Sequence, residues 1–69
     1  MFKILKETRK KYGVTCRQMS LLLGHKTRGA YHKKELGHVP FTLEEARKIA
    51  DYFQKDINEI FFEKEYINK

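Results

Sequence analysis

The chain is poor in the residues that staple small proteins or carry them through a membrane. One cysteine, Cys16, occurs among 69 residues. No internal disulfide can form, and the cytoplasm is the expected location. No apolar run approaches the roughly 18 residues of a membrane span. The longest, Met19–Leu23, contains Ser20. The opening Met1-Phe2-Lys3-Ile4-Leu5 runs at once into charge, so no secretory leader is read there. Period-two alternation is absent, as are Asn-Gly and Asp-Gly turns, which argues against hairpins. Acidic residues are missing from Thr8 to Lys34.

That last absence shapes the charge. Residues 1–34 carry ten Lys/Arg against one acid, a net of +9, whereas residues 35–69 carry five against eight, a net of −3. A one-signed half suits a polyanion and steers it by its field. The plainer alternative is a solvated basic surface. A membrane surface calls for a basic amphipathic helix with bulky apolar anchors, and none stands out. The hydrophobic share, 41%, is enough for one compact domain, for which helix packing is the cheapest design.

Breaks fall at Gly13, Gly24, Gly37 and Pro40, and the pattern between them is helical. Residues 2–12 put Ile4, Leu5, Thr8 and Tyr12 near one face, with Gly13 as a left-handed cap. Thr15-Cys16-Arg17-Gln18 fits a capping box, followed by Met19, Leu22 and Leu23. Thr27 caps a third segment, about 28–36, in which Gly29 costs about 1 kcal/mol relative to alanine. Ala30 and Tyr31 face inward there. Thr42-Leu43-Glu44-Glu45 is a second box, with Phe41 and Ala46 placed as a hydrophobic staple, and Leu43, Ala46, Ile49, Ala50 and Phe53 form its apolar face. Asp56-Ile57-Asn58-Glu59 opens a last segment carrying Ile60 and Phe61. Tyr12, Tyr31 and Phe53 read as core. The expected fold is all-α, a compact bundle of five short helices over residues 1–62, with 63–69 a short C-terminal tail.

Two short helices joined through a glycine, Thr15–Leu23 and Thr27–Leu36, have the plan of a helix-turn-helix. In that plan the first helix crosses a DNA backbone, and the second enters the major groove with its first residues at base edges. The chain resembles the Cro/repressor (XRE-type) family of phage and bacterial regulators, a lambda-repressor-like fold. The residues that carry the resemblance are Arg9-Lys10-Lys11-Tyr12-Gly13-Val14-Thr15, Met19-Ser20, Leu23-Gly24 and Ala30-Tyr31-His32-Lys33-Lys34-Glu35-Leu36-Gly37. Pro40-Phe41-Thr42-Leu43-Glu44-Glu45-Ala46, Ile49-Ala50 and Ile57-Asn58-Glu59-Ile60-Phe61 complete the set.

The resemblance implies a sequence-specific regulator of transcription acting on double-stranded DNA, a Cro-like repressor at an operator. Arg28, Gly29 and Lys33 fall where the family reads bases, and arginine forks onto guanine O6 and N7. His32 falls on a base or a phosphate, Lys26 and Lys34 on phosphates, and so do the backbone amides of Cys16 and Arg17. His38 runs near the DNA backbone. Arg9 and Glu35 match a partly buried ion pair that fixes the recognition helix. The chain departs from the pattern at four places. The turn Gly24-His25-Lys26-Thr27 is one residue longer than usual, leaving Lys26 as an alternative cap. Cys16 stands where a phosphate-binding glutamine is usual, and Ser20 stands for an alanine. Lys34 occupies a position often held by a large apolar residue, with its stem packed and its amine reaching solvent.

Phe62, Tyr66 and Ile67 suggest a homodimer surface, which would set two recognition helices about 34 Å apart. An antitoxin or antirepressor on the same fold, with a protein partner, is the competing reading. No catalytic set stands out, and no cofactor is called for. His25, His32, His38 and Cys16 match no metal-ligand spacing, so no metal is expected.

Overall fold

A computed structural model describes residues 1–61. Five helices follow in order: α1 (Lys3–Lys11), α2 (Cys16–Leu22), α3 (Arg28–Glu35), α4 (Leu43–Phe53) and α5 (Ile57–Phe61). Among the described residues there is no strand, and no helix is long and apolar enough to cross a membrane.

Local chemistry starts these helices. Thr15 Oγ1 accepts from the Gln18 amide at 3.1 Å, while Gln18 Oε1 accepts from the Thr15 amide at 2.8 Å. The Thr42 and Glu45 pair repeats the exchange at 3.1 and 2.9 Å. Each box satisfies two amides that the helix start leaves open. Thr27 is the cap of α3, its hydroxyl accepting from the Ala30 amide at 3.3 Å. At the other ends, Gly13, Gly24 and Gly37 turn the chain with φ of +69°, +80° and +88°. Gly37 is doubly constrained, because a Cβ there would lie 3.2 Å from the Met1 nitrogen. The end of α4 was not legible in this way: Gln54, not a glycine, takes the left-handed cap at φ +55°.

The core joins Leu5, Met19, Tyr31, Ile49 and Ile60, all at 1% exposure or less, with Val14, Cys16, Leu23, Ala46, Ala50, Phe53 and Phe61. Phe2, Phe41 and Phe61 meet edge to face, with ring centres 5.2–5.6 Å apart, closing the end where α1 and α5 meet the α3–α4 loop. The Phe2 amide donates to the Glu35 carbonyl at 2.9 Å and ties the start of α1 to the end of α3.

Two core expectations need correcting. Leu43 is 70% exposed: it keeps helical spacing with Ala46 and Ala50 but is the first residue of α4, where the buried stripe of Ala46, Ile49, Ala50 and Phe53 has not begun. Tyr12 is 52% exposed: it follows the last residue of α1, and its ring lies over Phe53 from outside, with centres 5.6 Å apart. The buried face of α1 is Leu5, Thr8 and Arg9 instead. Phe62, Tyr66 and Ile67, the expected dimer surface, lie outside the described residues.

Candidate nucleic-acid interface

Helix α3 is held from inside and bare on its outer face. On the inner face Tyr31 is fully buried and its hydroxyl donates to Glu35 Oε2 at 2.7 Å. The Arg9 guanidinium forks onto the same carboxylate, Nε to Oε2 at 2.8 Å and Nη2 to Oε1 at 3.2 Å, and Nη1 donates to the Val14 carbonyl at 3.0 Å. A buried carboxylate is costly unless its lone pairs are met. Here both oxygens are met, by three donors.

The titration behaviour follows. The Glu35 hydrogen bond, working against burial, holds Arg9 above its ordinary value. Burial pushes the Glu35 carboxyl up, but the Arg9 and Tyr31 hydrogen bonds outweigh it and leave it below the usual carboxylate range. Burial and the Glu35 hydrogen bond push the Tyr31 phenol well up. The triad is therefore charged, neutral and charged (Arg9, Tyr31, Glu35) at neutral pH.

Ser20 adds a link that sequence reasoning missed. At 2% exposure, its hydroxyl accepts from the Tyr31 amide at 3.2 Å and donates to the Arg28 carbonyl at 3.4 Å. It thus ties α2 to the first turn of α3, the turn that carries Arg28. The available signal was a hydroxyl at a buried small-residue position facing a helix start, where amides seek acceptors.

On the outer side, Lys26, Thr27, Arg28 and Lys33 are exposed and His32 is half-buried. Nothing lies within 4 Å of a Cβ built on Gly29, so that position opens a flat step beside Arg28. Arg17, also exposed, comes in from the first turn of α2. With Ser20, Leu21, His25, Lys26, Thr27 and Arg28 it lines a cleft of about 300 Å³ between α2 and the turn before α3. None of Arg17, Lys26, Arg28 and Lys33 makes an ion pair among the described residues.

Three of the expected contact residues lie outside this cleft. Lys34 does not offer its amine to a phosphate: Nζ donates to both oxygens of Glu45, at 2.6 and 2.7 Å, with its side chain 12% exposed. Its place between α3 and α4 gives the amine a carboxylate rather than solvent. Burial raises the Glu45 carboxyl, and the hydrogen bonds from Lys34 and the Thr42 amide overcome that and leave it lowered. The Cys16 side chain belongs to the core at 6% exposure, and the group the resemblance implies, its backbone amide, is at the first residue of α2. His38 is exposed beyond the far end of α3, its amide bonded to the Lys33 carbonyl at 2.9 Å, and does not join the cleft.

No group of three His, Cys, Asp or Glu among the described residues is placed to hold a metal ion. No family model, curated protein or solved structure matches the chain.

Proposed function

We propose that the chain is a sequence-specific double-stranded DNA-binding regulator of transcription, a Cro-like repressor, in which α2, the turn and α3 act as a helix-turn-helix. One observation carries the reading. The start of α3 presents unpaired cations, Arg28 beside open Gly29 and Lys33 beyond, on a helix anchored by buried Tyr31 and Glu35. An α-helix with its side chains is about 10–12 Å across, a thickness that the major groove, about 12 Å wide, admits. In this reading Arg28 reads bases first and Lys33 second. Arg17 and Lys26, which line one cleft beside the start of α3, hold the phosphate backbone, and occupancy of an operator excludes polymerase.

A second reading, an antitoxin-like or antirepressor-like module with a protein partner, draws on a different face. Phe2, Pro40, Phe41, Leu43, Ala46, Ile57 and Phe61 line an apolar groove of about 450 Å³ on the α4–α5 side.

The deciding experiment is selection of random duplexes by the protein at two salt concentrations. An enriched motif, lost in Arg28→Ala or Lys33→Ala, supports the regulator. Phosphate contacts release counterions, so about six of them cost on the order of 10³ in affinity between about 50 and 200 mM salt. Steep salt dependence without a motif leaves a non-specific basic protein. No binding at low salt sinks the regulator and moves attention to the apolar groove.

A further inference from the structure

Three helices begin on a capping threonine, and one of them closes its first turn differently. In α2 and α4 the fourth amide bonds back to the threonine carbonyl, Met19 to Thr15 at 3.1 Å and Ala46 to Thr42 at 3.0 Å. That is the ordinary first bond of a helix. A capping box completes each of these starts. Helix α3 has Ala30 at its third position, and an alanine cannot reach back to close a box. Its Thr27 carbonyl and hydroxyl both accept from the Ala30 amide, each at 3.3 Å. The fourth amide, that of Tyr31, turns to Ser20 of α2, whose Oγ accepts it at 3.2 Å. The same hydroxyl donates to the Arg28 carbonyl at 3.4 Å. Ser20 is itself held: it is buried, and its carbonyl accepts from the His25 amide at 2.8 Å.

We infer that Ser20 is a specificity-determining positioning residue, whose hydroxyl fixes where the first turn of α3 holds Arg28 relative to α2; the inference rests on the DNA-binding reading above. In that reading Arg17 and Lys26 seat a DNA backbone from α2 and the turn, while Arg28 meets a base edge from α3. The placement of α3 against α2 therefore decides whether a seated backbone is also a read base. A forked arginine contact is geometrically exacting, so a small misplacement is enough to lose it. Among the described residues, both side-chain hydrogen bonds between α2 and α3 belong to Ser20. Gly29 gives the turn no side chain to hold it, and nothing lies within 4 Å of a Cβ built there. Without the Ser20 hydroxyl the buried Tyr31 amide has two courses. It stays unpaired, which is costly for a buried amide, or it moves to the Thr27 carbonyl and rewinds the turn. Either course releases the turn that carries Arg28 and leaves the charges of Arg17 and Lys26 in place. The loss falls on base discrimination and spares phosphate affinity.

The test uses the full chain and three DNAs at two salt concentrations. They are the duplex that the wild type selects, that duplex changed at the base whose preference Arg28→Ala loses, and a random pool. Ser20→Ala is expected to reduce discrimination between the first two by about tenfold, within what one forked base contact supplies. Its affinity for the random pool and its salt slope are expected to stay at the wild-type values. Ser20→Thr, which keeps a hydroxyl, is expected to restore discrimination, and Ser20→Cys, with a weaker hydrogen-bonding group, to fall between. Adding Ser20→Ala to Arg28→Ala is expected to cost no further discrimination, because the serine acts through the arginine. Wild-type discrimination in Ser20→Ala overturns the proposal. So does an equal loss of affinity on all three DNAs, an additive loss in the double variant, or wild-type binding that selects no motif. If the wild type binds no duplex, the DNA reading has failed, and the joint is judged separately by NMR of the free protein. There, Arg28 and Gly29 backbone signals displaced further in Ser20→Ala than in Ser20→Thr keep Ser20 as the residue that places the start of α3. Equal or no displacement overturns that as well.

Discussion

The basic first half and the acidic second half use charge in opposite ways. Through Lys34 the chain carries a net +9, and from Glu35 onward −3, yet the fold does not set one against the other as two faces. Two acids of the second half reach back. Glu35 takes Arg9, and Glu45 takes Lys34 and approaches His25. Arg17, Lys26, Arg28 and Lys33 are left pointing out. A uniform run of cations in sequence is thus sorted into two kinds. Inward cations hold α3 in place, and outward cations are available to an anion. Inward substitutions should therefore register in stability, and outward ones in binding.

The largest break in this division is expected at the deepest pair. Glu35→Ala strands the Arg9 guanidinium and the Tyr31 hydroxyl and should cost about 3–5 kcal/mol in urea unfolding. An Arg9→Met, Glu35→Leu double change should recover much of that, because no buried charge is left unpaired. A single substitution costing under about 1 kcal/mol would mean that the pair is not structural. Next comes Arg28→Ala, expected to remove about 1–3 kcal/mol of duplex binding while moving stability by no more than about 0.5 kcal/mol. Loss of stability without loss of binding would erase the distinction between inward and outward cations.

Tyr31→Phe tests the neutral member of the triad. Losing one buried donor to Glu35 should cost about 1–3 kcal/mol, read by thermal or urea unfolding. The pH profile sharpens the same point. Glu35 and Glu45 are held below the ordinary carboxylate value. Their contribution is present above the unfolded value of about 4.3 and is lost as pH falls through the lowered folded values. Tyr31 is held above its ordinary value. Its contribution is present below the unfolded value of about 10 and is lost as pH climbs beyond it. Glu45→Gln should flatten part of the acid limb, and an unchanged limb would remove Glu45 from the account. The smallest effect belongs to neighbouring Glu44, exposed on α4. Glu44→Gln should change stability by no more than about 0.5 kcal/mol.

The legible features and the illegible ones divide by the distance over which their causes act. The sequence by itself determined where helices begin and mostly where they end. Thr15, Thr27 and Thr42 bond amides three residues on, and Gly13, Gly24 and Gly37 relax at positive φ, so each signal lies within one turn of its effect. It also determined the imbalance of charge. The Arg9–Glu35 pairing entered through resemblance to a family, not through pattern, because 26 residues separate the two. Tertiary structure decided the rest. It made Ser20 a hydrogen-bonded joint rather than a filler, left Leu43 and Tyr12 outside, and bound Lys34 to Glu45 across eleven residues. Helical periodicity fixes which residues share a face, but not which partner that face meets. For a lysine or a serine, the partner determines whether the polar group supports the fold or remains available to a ligand.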